Sequence, residues 1–282
     1  MEIKKVGVVG CGLMGGGIAQ VCAEAGYETI AREINDAFLE KGMNAIKANW
    51  KKNVAKGRMS EDDQSAAQGR LTGTTNMNDF AGCDLVIEAA IEQMELKKGI
   101  FTELDNITPA HAILATNTSC LSIIGIASAT KRPEKILGIH FFNPVPAMKL
   151  VEVIETISTS SEIMDTGCKF GESLGKQVVR AKDSPGFIVN LLLIPFLLDA
   201  IRAYEKGLAT KEDIDAGVKL GLNHPMGPLT LTDLVGLDTT YHIACAMYEE
   251  TADPKYAPPV LLKQMVTAGW MGRKSGKGFY DY

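Results

Sequence analysis

"VGVVGCGLMGGGIAQ", residues 6–20, decides how this chain begins to fold. A β-rich run, Val6 to Val9, breaks on glycines and resumes as a helical pattern that stops at Gly26, a natural C-terminal cap. The glycines fall as Gly10-x-Gly12-x-x-Gly15, between strand and helix. At such a junction the first glycine permits a tight turn. The second lets backbone N–H groups approach a pyrophosphate, and the third lets helix and strand pack closely. The helix N-terminus then faces the phosphates with its partial positive charge. Gly16 and Gly17 extend the run. A β-like segment follows, "YETIARE", ending on Glu33, close to the ~20-residue spacing at which a carboxylate meets a ribose 2′-hydroxyl. A glycine turn alone is common and often merely structural; in this context it reads as a dinucleotide site. Glu33 favours NAD(H). Its neighbour Arg32 is the residue type that would accept the 2′-phosphate of NADP(H), the less favoured cofactor.

Working outward, Asn35–Lys56 reads as a long polar-faced helix. Further strands stand in "CDLVIEAA", "AILATNTS", "KILGIHFF", "KLVEVIE" and "KQVVRA". Strands alternating with helices indicate a mostly parallel sheet covered on both faces. The pattern changes at "AKDSPGF". There Ser184 and Pro185 read as an N-cap and first-turn pair. Helices follow in "GFIVNLLLIPFLLDAIRAYEKG", "TKEDIDAGVKLG", "PLTLTDLVGLDTTYHIACAMYEE" and "PPVLLKQMVTAG", with a kink expected at Pro195. The expectation is an α/β dinucleotide-binding domain over residues 1–185 and an all-α domain over 186–282, without internal repeats.

The bulk figures narrow the function. With 282 residues, 46% of them hydrophobic and 22% charged, the chain can build one large core or two smaller ones. A net charge of −5 argues against broad nucleic-acid or membrane-surface binding, though not against one local basic patch. No apolar run reaches the ~18 residues of a membrane span, and no signal-peptide pattern opens the chain. Six cysteines lie scattered, without the close pairing that zinc sites prefer. They read as reduced, buried thiols of a cytoplasmic protein. No histidine lies within helical reach of another, so no metal is expected.

"IKANWKKNVAKGR" carries Lys47 and Lys51, then Lys52 and Lys56, each pair four residues apart and so on one helical face. It reads either as a solvated face or as a cationic patch for a phosphorylated substrate handle. Trp50 nearby is either a core residue or a flat surface for a base. "HFFNPVPAMKLVEV", residues 140–153, is apolar except where it opens on one of only four histidines and closes around a lone glutamate. His140 falls at the C-terminal end of its strand, where open parallel sheets place ligands. Glu152 lies beyond a short turn that lets the next strand run back beside it. An imidazole with a carboxylate partner is a general base with its orienter.

Over essentially its whole length the sequence resembles the short-chain L-3-hydroxyacyl-CoA dehydrogenase family, most closely the bacterial 3-hydroxybutyryl-CoA dehydrogenases. The resemblance is carried by "GCGLMGGGIAQ", "CDLVIEAAIE", "LATNTSCLSI", "GIHFFNPVPAMKLVEVI", "DSPGFIVN", "NHPMGPLTLTDLVGLD" and "GWMGRKSGKGFYDY". It implies a Rossmann-type NAD-binding domain, then a helical domain that supplies dimerisation and part of the substrate cleft. It further implies NAD(H)-dependent interconversion of acetoacetyl-CoA and (S)-3-hydroxybutyryl-CoA by a homodimer. His140 matches the family's proton-transferring histidine and Glu152 its electrostatic partner. Ser119 and Asn190 match residues that position the substrate. Gly10, Gly12, Leu13, Met14 and Gly15 match the cofactor loop, and Glu92, Lys97, Asn117 and Asn143 match the nicotinamide side. Read alone, Lys97 is equally a surface partner of Glu95. On this resemblance Lys52 and Lys56 become contacts for the CoA phosphates. The chain departs from the common family pattern at Glu33, where Asp is usual, at Leu13, where a small polar residue is usual, and at Gly16 and Cys120, where serine is usual. Two alternatives remain open: a dehydrogenase of free 3-hydroxy acids, and an inactive NAD-binding relative.

Overall fold

The computed structural model describes residues 2–282. They divide into two compact units, the first ending at Asp183 and the second starting at Ser184.

The first unit runs β1 (Lys5–Val9), α1 (Leu13–Glu24), β2 (Glu28–Arg32), α2 (Asp36–Ala55), α3 (Glu61–Arg70), β3 (Leu71–Thr74), β4 (Leu85–Glu88), α4 (Met94–Ile107), β5 (Ile113–Thr116), α5 (Ile123–Ala127), β6 (Ile136–Phe141), β7 (Leu150–Glu155), α6 (Ser161–Ser173) and β8 (Gln177–Lys182). Its eight strands form one sheet in the order β3-β2-β1-β4-β5-β6-β7-β8. The order reverses between β1 and β4, and the crevice outside the strand ends at such a switch point is where open α/β sheets bind ligands. Pairing is parallel from β3 through β6, then antiparallel between β6 and β7, with β8 parallel to β7. Every residue of β4, β5 and β6 is buried, as expected of strands with both faces covered. The apolar core joins Val6, Val8, Ile87, Ile113 and Ile139 from the strands to Ile18 and Phe170 from the helices. Side-chain caps start α2, α3 and α6. Asn35 accepts from the Phe38 N–H at 2.9 Å, Ser60 from Asp63 at 3.0 Å and Ser160 from Ile163 at 3.4 Å, filling donors that a helix start leaves open.

The second unit is helical: α7 (Val189–Glu205), α8 (Lys211–Gly221), α9 (Pro228–Val235), α10 (Leu237–Thr251) and α11 (Val260–Thr267). Its core gathers Ile194, Leu198, Ile201, Leu229, Leu237 and Met247. Two sequence expectations need correction here. Ser184 and Pro185 do not open the first helix. Gly186 and Phe187 have φ of 80° and 52°, a left-handed backbone that a right-handed helix cannot run through, and the helix starts at Val189. The stretch from Pro228 to Glu250 is not one helix either. Gly236, at φ 103°, separates α9 from α10. Among the described residues no helix is long and apolar enough to cross a membrane.

Candidate active site

The glycine turn is shaped by contacts that a side chain would destroy. Gly10 has φ 96°, and a Cβ there would lie 2.8 Å from the Ala89 carbonyl oxygen. A Cβ on Gly15 would fall 1.9 Å from the Gly10 carbonyl oxygen, so helix and strand meet backbone to backbone. Gly12 differs: a Cβ there would touch nothing within 4 Å. It is also the N-cap of α1 and supplies no side-chain cap to the first turn. The turn thus keeps open space in front of uncapped backbone donors, a cradle that suits a pyrophosphate. Leu13 is 77% exposed on this rim, while Met14 turns inward against the core.

Glu33 follows the last residue of β2, and its Oε1 lies 3.4 Å from the Cys11 N–H of the glycine turn. Arg32 points elsewhere, its Nε donating to the Thr75 carbonyl at 3.4 Å. The Cys11 thiol, buried and beside the Glu33 charge, is pushed up to about 11, burial being the larger cause. A cavity of about 540 Å³ opens beside this turn. Gly12, Leu13 and Glu33 line it together with Lys41 and Asn49 of α2 and with Asn143 of the β6–β7 connection. Lys41 and Asn49 escaped the reading of the sequence; their signal was only an i, i+8 spacing, which puts both on one face of α2. Lys52 on α2 and Lys56, the C-cap just past its end, are exposed and are not among the cavity's lining residues. Trp50 is fully buried, and its indole N–H donates to Glu24 Oε1 at 2.7 Å, so it offers no surface to a base.

The carboxyl ends of β4 and β5 carry a polar cluster. Lys97 is 1% exposed, and its Nζ lies 2.6 Å from Glu88 Oε1 and 3.3 Å from Glu92 Oε2. It is therefore no surface partner of Glu95, which pairs with Lys98 at 3.0 Å instead. Glu88 is fully buried within β4 and also accepts from Thr116 Oγ1 at 2.7 Å and the Ala90 N–H at 2.6 Å. Sequence reading passed over it as part of an apolar strand. Glu92 reaches the loop after β5, accepting from Thr118 Oγ1 at 2.6 Å and the Ser119 N–H at 2.8 Å. Burial by itself would raise the Glu92 carboxyl, but the Lys97 charge and these hydrogen bonds outweigh it and hold the group below the ordinary range. Asn117 Oδ1 accepts from the Phe141 N–H at 2.9 Å. That bond continues the β5–β6 ladder past its last pair, Thr116 with Gly138.

His140 and Glu152 stand directly opposite each other in the antiparallel register of β6 and β7. The imidazole is 4% exposed, the carboxylate fully buried, and Nδ1 lies 2.7 Å from Glu152 Oε2. The Phe142 ring covers the imidazole at a centroid distance of 4.6 Å. The β6–β7 hairpin thus joins what the sequence separates by 12 positions. Ser119, half-buried, follows β5, the parallel neighbour of β6. Asn190 belongs to the second unit, where it is buried in the first turn of α7 at 8% exposure.

The chain is similar to known proteins over essentially its whole length. The family model described as 3-hydroxyacyl-CoA dehydrogenase, NAD binding domain, matches residues 5–184, and that described as 3-hydroxyacyl-CoA dehydrogenase, C-terminal domain, matches residues 186–282. A 3-hydroxybutyryl-CoA dehydrogenase of Mycobacterium tuberculosis is 50% identical over 282 residues, covering 99% of each chain. A mitochondrial hydroxyacyl-coenzyme A dehydrogenase of Homo sapiens is 43% identical over 288 residues, covering 99% of this chain and 91% of its own. The crystal structure of an (S)-3-hydroxybutyryl-CoA dehydrogenase from Ralstonia eutropha superposes with a TM-score of 0.96 at 43% identity, over 100% of this chain and 99% of that one. With a glycine turn that fits a pyrophosphate and both units matched, the chain belongs to the 3-hydroxyacyl-CoA dehydrogenase family of NAD-dependent oxidoreductases.

Proposed function

We propose that the chain interconverts acetoacetyl-CoA and (S)-3-hydroxybutyryl-CoA, with His140 as the acid–base group and Glu152 as its partner. The observation that carries this reading is the buried 2.7 Å contact between His140 Nδ1 and Glu152 Oε2. An ionised carboxylate only accepts hydrogen bonds. Nδ1 therefore carries a hydrogen, and Nε2 is the nitrogen that gives and takes the proton at the 3-oxygen. Reduction builds negative charge on that oxygen. An imidazolium aimed at it lowers the barrier, and Glu152 stabilises the imidazolium. The chemistry that NAD(H) supplies when bound is hydride exchange with C3 of the acyl chain. Gly10, Gly12, Leu13, Met14 and Gly15 would hold its pyrophosphate and Glu33 its adenosine ribose, favouring NAD(H) over NADP(H). Glu92, Lys97, Asn117 and Asn143 would serve the nicotinamide half. Ser119 and Asn190 position the substrate, whose thioester stays unreacted and lends remote binding energy to orientation.

The CoA handle belongs to the α2 stripe. Lys41 and Asn49 line the cavity, and Lys52 and the C-cap residue Lys56 follow at i+3 and i+7 from Asn49, where cations would meet the phosphates. The helical unit exposes Leu192, Leu208, Leu220 and Val260 at 65% or more, apolar surface that supports a homodimer through this unit. Turnover of acetoacetyl-CoA and free acetoacetate, compared side by side with NADH, tests the substrate. NADH oxidation with the CoA ester alone is expected. Equal rates would move the function to free 3-hydroxy acids, and no oxidation with either would leave a binding protein.

A further inference from the structure

The loop that carries Ser119 is closed by a ring of polar contacts that the acid–base chemistry does not use. The ring begins at Thr116, whose hydroxyl donates to Glu88 Oε2 at 2.7 Å. Glu88 Oε1 accepts from Lys97 Nζ at 2.6 Å, and Lys97 passes on to Glu92 Oε2 at 3.3 Å. Glu92 returns to the loop through one oxygen. Its Oε1 accepts from Thr118 Oγ1 at 2.6 Å, from the Ser119 N–H at 2.8 Å and from the Cys120 N–H at 3.3 Å. Residues 117–122 belong to neither β5 nor α5, so the Ser119 and Cys120 N–H groups have no ladder to join. One carboxylate takes the place of that ladder.

The ring is built for stiffness. Lys97, 1% exposed, is held between two carboxylates, and breaking a buried ion pair from one side strands a charge. Behind the loop, Asp183 accepts from the Ile123 and Ile124 N–H groups at 3.2 Å and 2.8 Å and fixes the start of α5. Ser119 is therefore gripped from Glu92 on one side and followed by an anchored helix on the other.

We infer that Glu92 is a positioning residue for Ser119: its carboxylate fixes the backbone from which the Ser119 hydroxyl meets the substrate, while Lys97 and Glu88 fix Glu92. The inference rests on the substrate role proposed for Ser119. Misplacing a substrate contact by about 1 Å can cost ~10²-fold, so the effect belongs in kcat/KM for the acyl-CoA.

The test is a double-mutant cycle in the full chain with saturating NADH, using Glu92→Ala, Ser119→Ala and the pair, with acetoacetyl-CoA as the varied substrate. Each single variant should lose about 10–100-fold in kcat/KM, and the pair should be no worse than its poorer member. Glu92→Asp keeps a charge for Lys97 but draws the oxygen back from the Ser119 N–H. It should show the same coupling, and it carries the test if the alanine variant does not fold. Additive losses would overturn the inference and leave Glu92 with the nicotinamide-side role alone, which would show in the Kd for NADH. Wild-type kcat/KM in Glu92→Asp would overturn it as well. An unaffected Ser119→Ala would instead remove the proposed substrate role of Ser119, and this inference with it.

Discussion

A histidine and a glutamate that face each other across an antiparallel pair are aligned by backbone hydrogen bonds before their side chains meet. His140 and Glu152 have that alignment, so the orienting contact adds little ordering cost to what the sheet has already paid. Glu33 is placed as economically. It follows β2 and turns its carboxylate to the glycine turn, while Arg32 is drawn off toward Thr75. A 2′-phosphate would meet the carboxylate and not the guanidinium, so NADH is expected to exceed NADPH in kcat/KM. Equal use of both would show Arg32 swinging back to the site. Glu92 allows a pH prediction. Its carboxyl is held below the ordinary 4.5, so its bonds stabilise the fold above that value and are lost as pH falls through the lower folded value. The difference in unfolding free energy between wild type and Glu92→Gln should therefore shrink on acidification below about pH 4.5. A difference that grows there would contradict the sign. At this scale the sequence was most legible where a polar residue interrupted an apolar run, as at His140 and Glu152. Glu88 interrupts a run in the same way, yet its partners Thr116 and Lys97 come from β5 and α4 and only the fold assembles them.

Elements were legible in proportion to their apolar pattern. β4, β5 and β6 are wholly buried, and their aliphatic runs announce them. β3, "LTGT", lies at the sheet edge with no fully buried residue, and α3 before it buries only Ala67. Neither carries a pattern that would reveal it. The helix starts misread at Ser184 and across Gly236 fail for another reason. Cap chemistry at Ser184 is sound locally, but positive φ at Gly186 and Phe187 overrides it. The α2 stripe supplies the prediction at this scale. Neutralising Lys52 and Lys56 together should raise KM for acetoacetyl-CoA with a much smaller change in KM for NADH. The effect should fade with added salt, since exposed charges are screened within about 8–10 Å at physiological ionic strength. An unchanged KM would return both lysines to a solvated face, leaving Lys41 and Asn49 as the polar α2 residues at the cavity.

For the whole molecule, the described residues form two units with separate cores. The sheet unit carries the glycine turn, the Glu33 carboxylate, the Ser119 loop and the His140–Glu152 pair, and Asn190, for which a substrate role is proposed, lies in the helical unit. The change from alternating strands and helices to helices alone was readable from apolar periodicity, because that periodicity follows directly from which faces are buried. The cavity beside the turn was not readable, since it is made by three segments remote in sequence, around Gly12, Lys41 and Asn143. The central claim, that a buried histidine carries the proton in an otherwise ordinary NAD-binding frame, is tested most directly by His140→Asn in the full chain. Kd for NADH and the folding transition should stay at wild-type values, while kcat for acetoacetyl-CoA reduction falls by about 10²–10⁴-fold and Glu152→Gln added to it costs little more. Near-wild-type turnover by a folded, NADH-binding His140→Asn would contradict the account.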